Sequence, residues 1–143
     1  MVDFRLLIGD PKSKRTFQKV LKPEEVTPIK GMKVGETIRG EIIGLTGYEL
    51  KITGGSDKDG FPMRADVEGT LRKRLLLSTG PGYNPKRAGL RKRRMIRGNI
   101  IGDDIAQLNT KIIKHGKTDL MEFFGIKPKE EEKKEEATKE EEK

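Results

Sequence analysis

Apolar residues in this chain come in short runs broken by glycine and proline, the pattern of strands and turns rather than of long helices. Val2 to Ile8 is a first strand. Gly9, Asp10 and Pro11 stop it, because proline supplies no amide to a ladder and Gly-Asp-Pro favours a turn. Arg15 to Leu21 is a second strand, and Thr37 to Ile43 and Tyr48 to Ile52 bracket the turn Gly44 to Gly47. Arg72 to Leu77, Arg91 to Ile101 and Ala106 to Ile113 complete the set, the last with Leu108, Thr110 and Ile112 on one face. Only Asp119 to Phe124 reads as helical, with Leu120, Phe123 and Phe124 at spacings of three and four. Seven short strands, 17 glycines and one helical turn predict a mostly β domain over residues 1–126, an antiparallel small barrel, closed or nearly so, with a short C-terminal helical turn.

Beyond Ile126 the pattern ends. Residues 127–143 hold six Lys and eight Glu and no apolar stripe, so this tail is expected to be disordered or a fraying, solvated helix. Its net charge of −2 leaves +10 of the chain's +8 on residues 1–126, so the folded part is the basic part. Leu, Ile, Val and Phe number 35 of 143, enough for one core, and no run of eighteen apolar residues occurs. The amino terminus has no charged lead before a long apolar stretch; the expectation is a soluble, cytoplasmic protein without a signal peptide or a membrane partner.

The charge is concentrated. From Gly69 to Gly102 the chain runs 34 residues without Asp or Glu, yet carries Arg72, Lys73, Arg74, Lys86, Arg87, Arg91, Lys92, Arg93, Arg94 and Arg97. Ten like charges repel one another unless something polyanionic lies against them. Seven are Arg, whose planar guanidinium grips phosphate bidentately and stacks on bases, so the expected partner is nucleic acid. Tyr83 is the one aromatic inside the block, placed either to touch a base or sugar or to pin the loop. With no Trp and few aromatics the chain lacks a stacking platform for single strands, and no helix-turn-helix, zinc finger or basic zipper is present. What remains is recognition of a folded polyanion by shape and charge, the usual mode for structured RNA.

Enzymatic readings fail on spacing. The absence of cysteine removes thiol nucleophiles, thiolate metal sites and disulfides, and His115 stands as the only histidine. Gly116-Lys117-Thr118 lacks the earlier glycine of a phosphate loop, since Lys111 holds that position. Asp57 and Asp59 before Gly60 read as a polar turn, because Gly55 falls on the first ligand position of a calcium loop. No catalytic residue, metal or cofactor is expected.

Three segments together carry a resemblance: Gly54 to Met63 (GGSDKDGFPM), Arg72 to Gly80 (RKRLLLSTG) and Tyr83 to Gly98 (YNPKRAGLRKRRMIRG), with Phe4 to Pro11 and Gly31 to Gly40 similar too. They resemble the signature of small-subunit ribosomal protein six of the archaeal and eukaryotic type, over most of residues 1–126. The resemblance implies a structural constituent of the small ribosomal subunit, a β-barrel body lying on ribosomal RNA beside neighbouring ribosomal proteins, with no catalysis, no small-molecule substrate and a monomeric state off the particle. It also implies that the ten cations contact RNA, with Tyr83 kept beside them as a candidate contact from its place in the block, that Gly54, Gly55 and Gly60 are structural, and that Phe61 and Met63 plug the barrel beneath their turn. Eukaryotic members continue into a long basic helix with phosphorylatable serines. Here the Lys and Glu tail, with Thr138 as its one hydroxyl, replaces it, which suggests the short archaeal form and no regulation by a kinase. The competing class is an RNA-processing or modification factor, which needs a pocket with a perturbed acid or base; a DNA-compacting protein is a third, and would sediment with the nucleoid rather than with the small subunit.

An acidic tail with nothing to bury should be dispensable. Deleting residues 127–143 is expected to leave the melting temperature nearly unchanged and RNA affinity equal or slightly higher, as read by thermal denaturation and RNA titration of the truncated protein.

Overall fold

A computed structural model describes residues 4–116, 118 and 120–125. Val2, Asp119 and the tail after residue 125 lie outside the described residues. Five strands form one sheet in the order β2-β1-β7-β4-β3, and two more form a separate ribbon, β5-β6.

Strand β1 (Phe4–Asp10) buries alternate positions, Phe4, Leu6, Ile8 and Asp10. The Asp10 carboxylate then accepts the amides of Lys12 (2.9 Å) and Ser13 (3.2 Å), which closes a tight turn into β2 (Arg15–Leu21). β1 also pairs in parallel with β7 (Ile105–Lys114), so the strands nearest the two ends of the described chain meet at the centre of the sheet. The sheet is therefore mixed, not wholly antiparallel. β4 (Glu49–Asp57) flanks β7 antiparallel, with register shifts beside Leu50, Gly54 and Asp57 that bend it over the core.

One core serves this sheet. Phe17, Ile29, Leu45, Leu50, Ile52 and Leu108 are among its fully buried side chains. A one-turn helix α1 (Pro23–Val26), which the spacing of apolar residues did not signal, continues into a tight turn that drops Val26 and Ile29 into the core. At the other end of the chain helix α2 (Leu120–Phe123) sits where the Leu120 and Phe123 spacing placed it, and the Phe124 ring just after it stacks on Phe17 at 5.1 Å.

The barrel expected from seven strands does not form, because no sheet among the described residues is closed. Two causes are visible. β5 (Arg72–Leu77) and β6 (Lys92–Arg97) pair only with each other, which leaves five strands for the main sheet. Edge strand β3 (Thr37–Arg39) is three residues long rather than the expected seven, since the chain turns at Gly40 into a tight helical turn over Gly40–Ile43. A side chain at Gly40 would overlap the Leu45 carbonyl, so the backbone there is pressed against its own return and has no room to continue as strand.

The segment Gly54 to Met63 ties ribbon to sheet. Gly55 is close-packed: a Cβ there would come within 2.5 Å of the Gln107 carbonyl and 3.1 Å of Met63 Sδ. Met63 is buried in the main core as expected, whereas Phe61 stays half-exposed under the Arg72 guanidinium, 5.1 Å above its ring. Backbone bonds then lock the base of the ribbon, from Arg97 N to the Pro62 carbonyl (3.0 Å) and from Arg64 N to the Arg97 carbonyl (3.2 Å).

The strongest fastening is ionic. Asp57, at the end of β4, is 2 % exposed and accepts Arg72 Nε at 2.6 Å and Arg97 Nη1 at 3.3 Å. Arg97 Nη1 also reaches Asp104 Oδ2 at 3.3 Å, Arg72 pairs with Asp59, and Lys58 pairs with Asp104 at 3.4 Å. Arg72 and Arg97 are directly opposed in the ribbon's register, so one carboxylate holds both strands at once. Burial alone would push the Asp57 carboxyl up, but the Arg72 hydrogen bond and the two guanidinium charges outweigh it and hold the pKa below the ordinary value of 3.8.

A depressed carboxylate pKa makes a stabilising contribution that is complete above the ordinary value and is lost as pH falls through the lowered one. Asp57→Asn should therefore cost about 3 kcal/mol or more near neutrality, because two guanidiniums lose their counter-charge, with a fall in Tm of about 10 °C. Below about pH 3.8 the gap between wild type and variant should close as the wild-type carboxyl protonates. Thermal melts from neutral pH to about pH 2 check both statements.

Candidate nucleic-acid interface

Strand geometry decides which cations face the same way. In β5-β6 the opposed pairs are Arg72/Arg97, Lys73/Ile96, Arg74/Met95, Leu75/Arg94, Leu76/Arg93 and Leu77/Lys92, and alternate pairs share a face. One face thus carries Arg74 and Arg93 beside Met95 and Leu76. The other carries Lys73, Arg94 and Lys92 beside Leu75, Ile96 and Leu77. On this second face Leu77, Ile96 and Tyr83 make a small core of their own, with Leu75 packed against it. A lone two-stranded ribbon is marginally stable, so this cluster and the Asp57 fastening are what keep it ordered.

The ten cations divide into two groups. Arg97 is 3 % exposed and lies inside the carboxylate network, so the expectation that it contacts RNA is corrected: its guanidinium is committed to Asp57 and Asp104. Arg72 is partly exposed but paired to Asp57 and Asp59, which holds its pKa above the ordinary arginine value, the Asp57 hydrogen bond being the largest cause. It, too, works mainly as a fastener. Lys73 spends one hydrogen bond on the Glu68 carbonyl at 3.3 Å. Among the described residues no ion pair is formed by Arg74, Lys86, Arg87, Arg91, Lys92, Arg93 or Arg94, all of them exposed.

Tyr83 follows the second of its two readings. It is 9 % exposed and buried against Leu77 and Ile96, so its ring pins the loop between β5 and β6 and presents no open face for stacking. His115, the one histidine, lies half-buried with Nε2 3.6 Å from Asp10 and its ring edge-on to Tyr48. It is not part of the ribbon.

Two features escaped the reading of residues. The acids that neutralise Arg72 and Arg97 lie outside the acid-free stretch, at Asp57, Asp59 and Asp104, and only the pairing of β5 with β6 brings them together. The available signal was that Arg72 and Arg97 occupy the two ends of the ribbon nearest flanking aspartates. Two hollows beside the ribbon were also missed, one of about 560 Å³ under the loop and one of about 510 Å³ between Phe61, Pro62, Arg74 and Met95.

The family model described as ribosomal protein S6e matches residues 4–125. Archaeal relatives named small ribosomal subunit protein eS6 match most of the chain. That of Archaeoglobus fulgidus is 52% identical over 124 residues, covering 86% of this chain and 96% of the relative. That of Methanothermobacter thermautotrophicus is 47% identical over 122 residues, 85% of this chain and 95% of the relative. That of Methanocaldococcus jannaschii is 44% identical over 122 residues, 85% of this chain and 91% of the relative. The match begins with β1, ends with α2 and takes in the ribbon with its fastening, so the chain belongs to the ribosomal protein S6e family.

Proposed function

We propose that the chain is a structural constituent of the small ribosomal subunit whose β5-β6 ribbon lies on ribosomal RNA. Family membership supports the ribosomal role in translation, in the cytoplasm, without catalysis. The observation that carries the RNA assignment to particular residues is the set of eight exposed cations on and beside one ribbon, Lys73 among them, that form no ion pair among the described residues. Guanidiniums left without carboxylates repel one another in the free protein, and phosphates relieve the repulsion. The contact set is Lys73, Arg74, Lys86, Arg87, Arg91, Lys92, Arg93 and Arg94, with Arg72 and Arg97 holding the ribbon from beneath. Residues 1–126 are the RNA-binding unit, meeting neighbouring ribosomal proteins on the particle, monomeric off it and without a small-molecule substrate.

Phosphate contact has a thermodynamic signature. With about six to eight phosphates neutralised, affinity for small-subunit RNA should fall roughly a thousandfold or more between about 50 and 200 mM salt, measured by titration at several salt concentrations. A flat dependence contradicts the assignment.

Replacing Arg91, Lys92, Arg93 and Arg94 together by Ala separates folding from binding. Exposed charges taken from a self-repelling patch cost little stability, so Tm should hold within a few degrees. The salt dependence of log K should become shallower by about one unit per lost contact, and the variant should sediment free of the small subunit. Unfolding of the variant would make the cluster part of the architecture rather than of the interface.

A further inference from the structure

The loop joining β5 to β6 does not lie flat on the ribbon. It borders an open hollow of about 560 Å³, lined by Tyr83, Asn84, Lys86, Leu90, Lys92 and Arg94. We propose that this hollow receives one unpaired nucleotide of the bound RNA, an inference that rests on the RNA-binding reading above and adds a point of selectivity to it.

Four observations carry it. The volume falls in the range of pockets that hold small ligands, about 300–1,000 Å³, so a base swung out of its stack has room. The lining mixes two chemistries in the proportion a nucleotide presents. Lys86, Lys92 and Arg94 supply charge for a phosphate, and Leu90, half-exposed, supplies an apolar surface for a flat ring. An acidic peptide would use the cations and leave Leu90 facing water. Asn84 adds an amide that both donates and accepts, which is what reading a base edge requires.

The walls of the hollow are fixed. Gly82, at its lip, has φ +92, a backbone conformation that residues with side chains rarely adopt. Tyr83 forms a fixed wall, nine-tenths buried among Leu77 and Ile96, and its hydroxyl has no hydrogen-bond partner among the described residues. A buried hydroxyl without a partner is rarely left so by folding alone.

The test uses the full chain and RNA hairpins of equal length, one fully paired and four carrying a single bulged nucleotide, one for each base, titrated by fluorescence anisotropy near 150 mM salt. Wild type should bind at least one bulged hairpin roughly tenfold more tightly than the paired one, the size expected for seating one base. Leu90→Ala and Asn84→Ala change exposed side chains and no charge. Each should reduce that preference to about threefold or less while leaving affinity for the paired hairpin, and its salt dependence, unchanged. A bulge lacking its base should bind like the paired hairpin. Equal wild-type affinity for paired and bulged hairpins, or full preference for the baseless bulge, would overturn the pocket while leaving the RNA-binding reading intact. Failure to bind any hairpin would overturn both.

Discussion

The β5-β6 ribbon is fastened to the five-stranded sheet by one buried carboxylate. Asp57 ends β4, the strand next to the centre of the sheet, and receives a guanidinium from each strand of the ribbon. A buried ion pair is not in itself a gain in stability, since desolvation of both charges offsets their attraction. Its effect here is positional. Arg72 and Arg97 are opposed across β5 and β6, so satisfying one acid fixes the register of the ribbon and its angle to the sheet together. The backbone bonds at Pro62 and Arg64 follow from that placement.

The same pairing explains how a small protein tolerates so dense a positive patch. The two arginines at the base of the ribbon are neutralised from the sheet side by Asp57, Asp59 and Asp104. Those farther out have no such acids, and the small core of Leu77, Tyr83 and Ile96 is left to hold strands that repel each other. Ordered in this way, the ribbon holds its cations in a fixed array, and on the RNA-binding reading proposed above less conformational freedom is lost on binding. Stability at the base and repulsion at the tip are two halves of one arrangement.

Much of this was legible from residues. β2 and β5 occupy the predicted spans Arg15–Leu21 and Arg72–Leu77, because alternation and turn residues report local geometry directly. The basic patch was legible for the same reason, since an acid-free run needs no tertiary information to be seen. What failed was everything that depends on pairing. Whether seven strands close a barrel is decided by register and by which strands leave the sheet, and neither is written in burial patterns. The expected strand Arg91–Ile101 ends at Arg97 because its continuation turns back to bond Leu71 and Val67 rather than β5. Arg97 was misread for a related reason. An arginine in a cationic run looks exposed until Asp57, forty residues away, is seen beside it.

The central claim is that RNA meets the ribbon and not the sheet. Hydrogen exchange of the whole chain with and without small-subunit ribosomal RNA tests it most directly, because it reads every amide without altering a residue. The account predicts added protection in β5, β6 and the loop between them, and little change in β2, which lies at the far edge beyond β1 and β7. Protection centred on β2, with the ribbon amides exchanging as in the free protein, would contradict it.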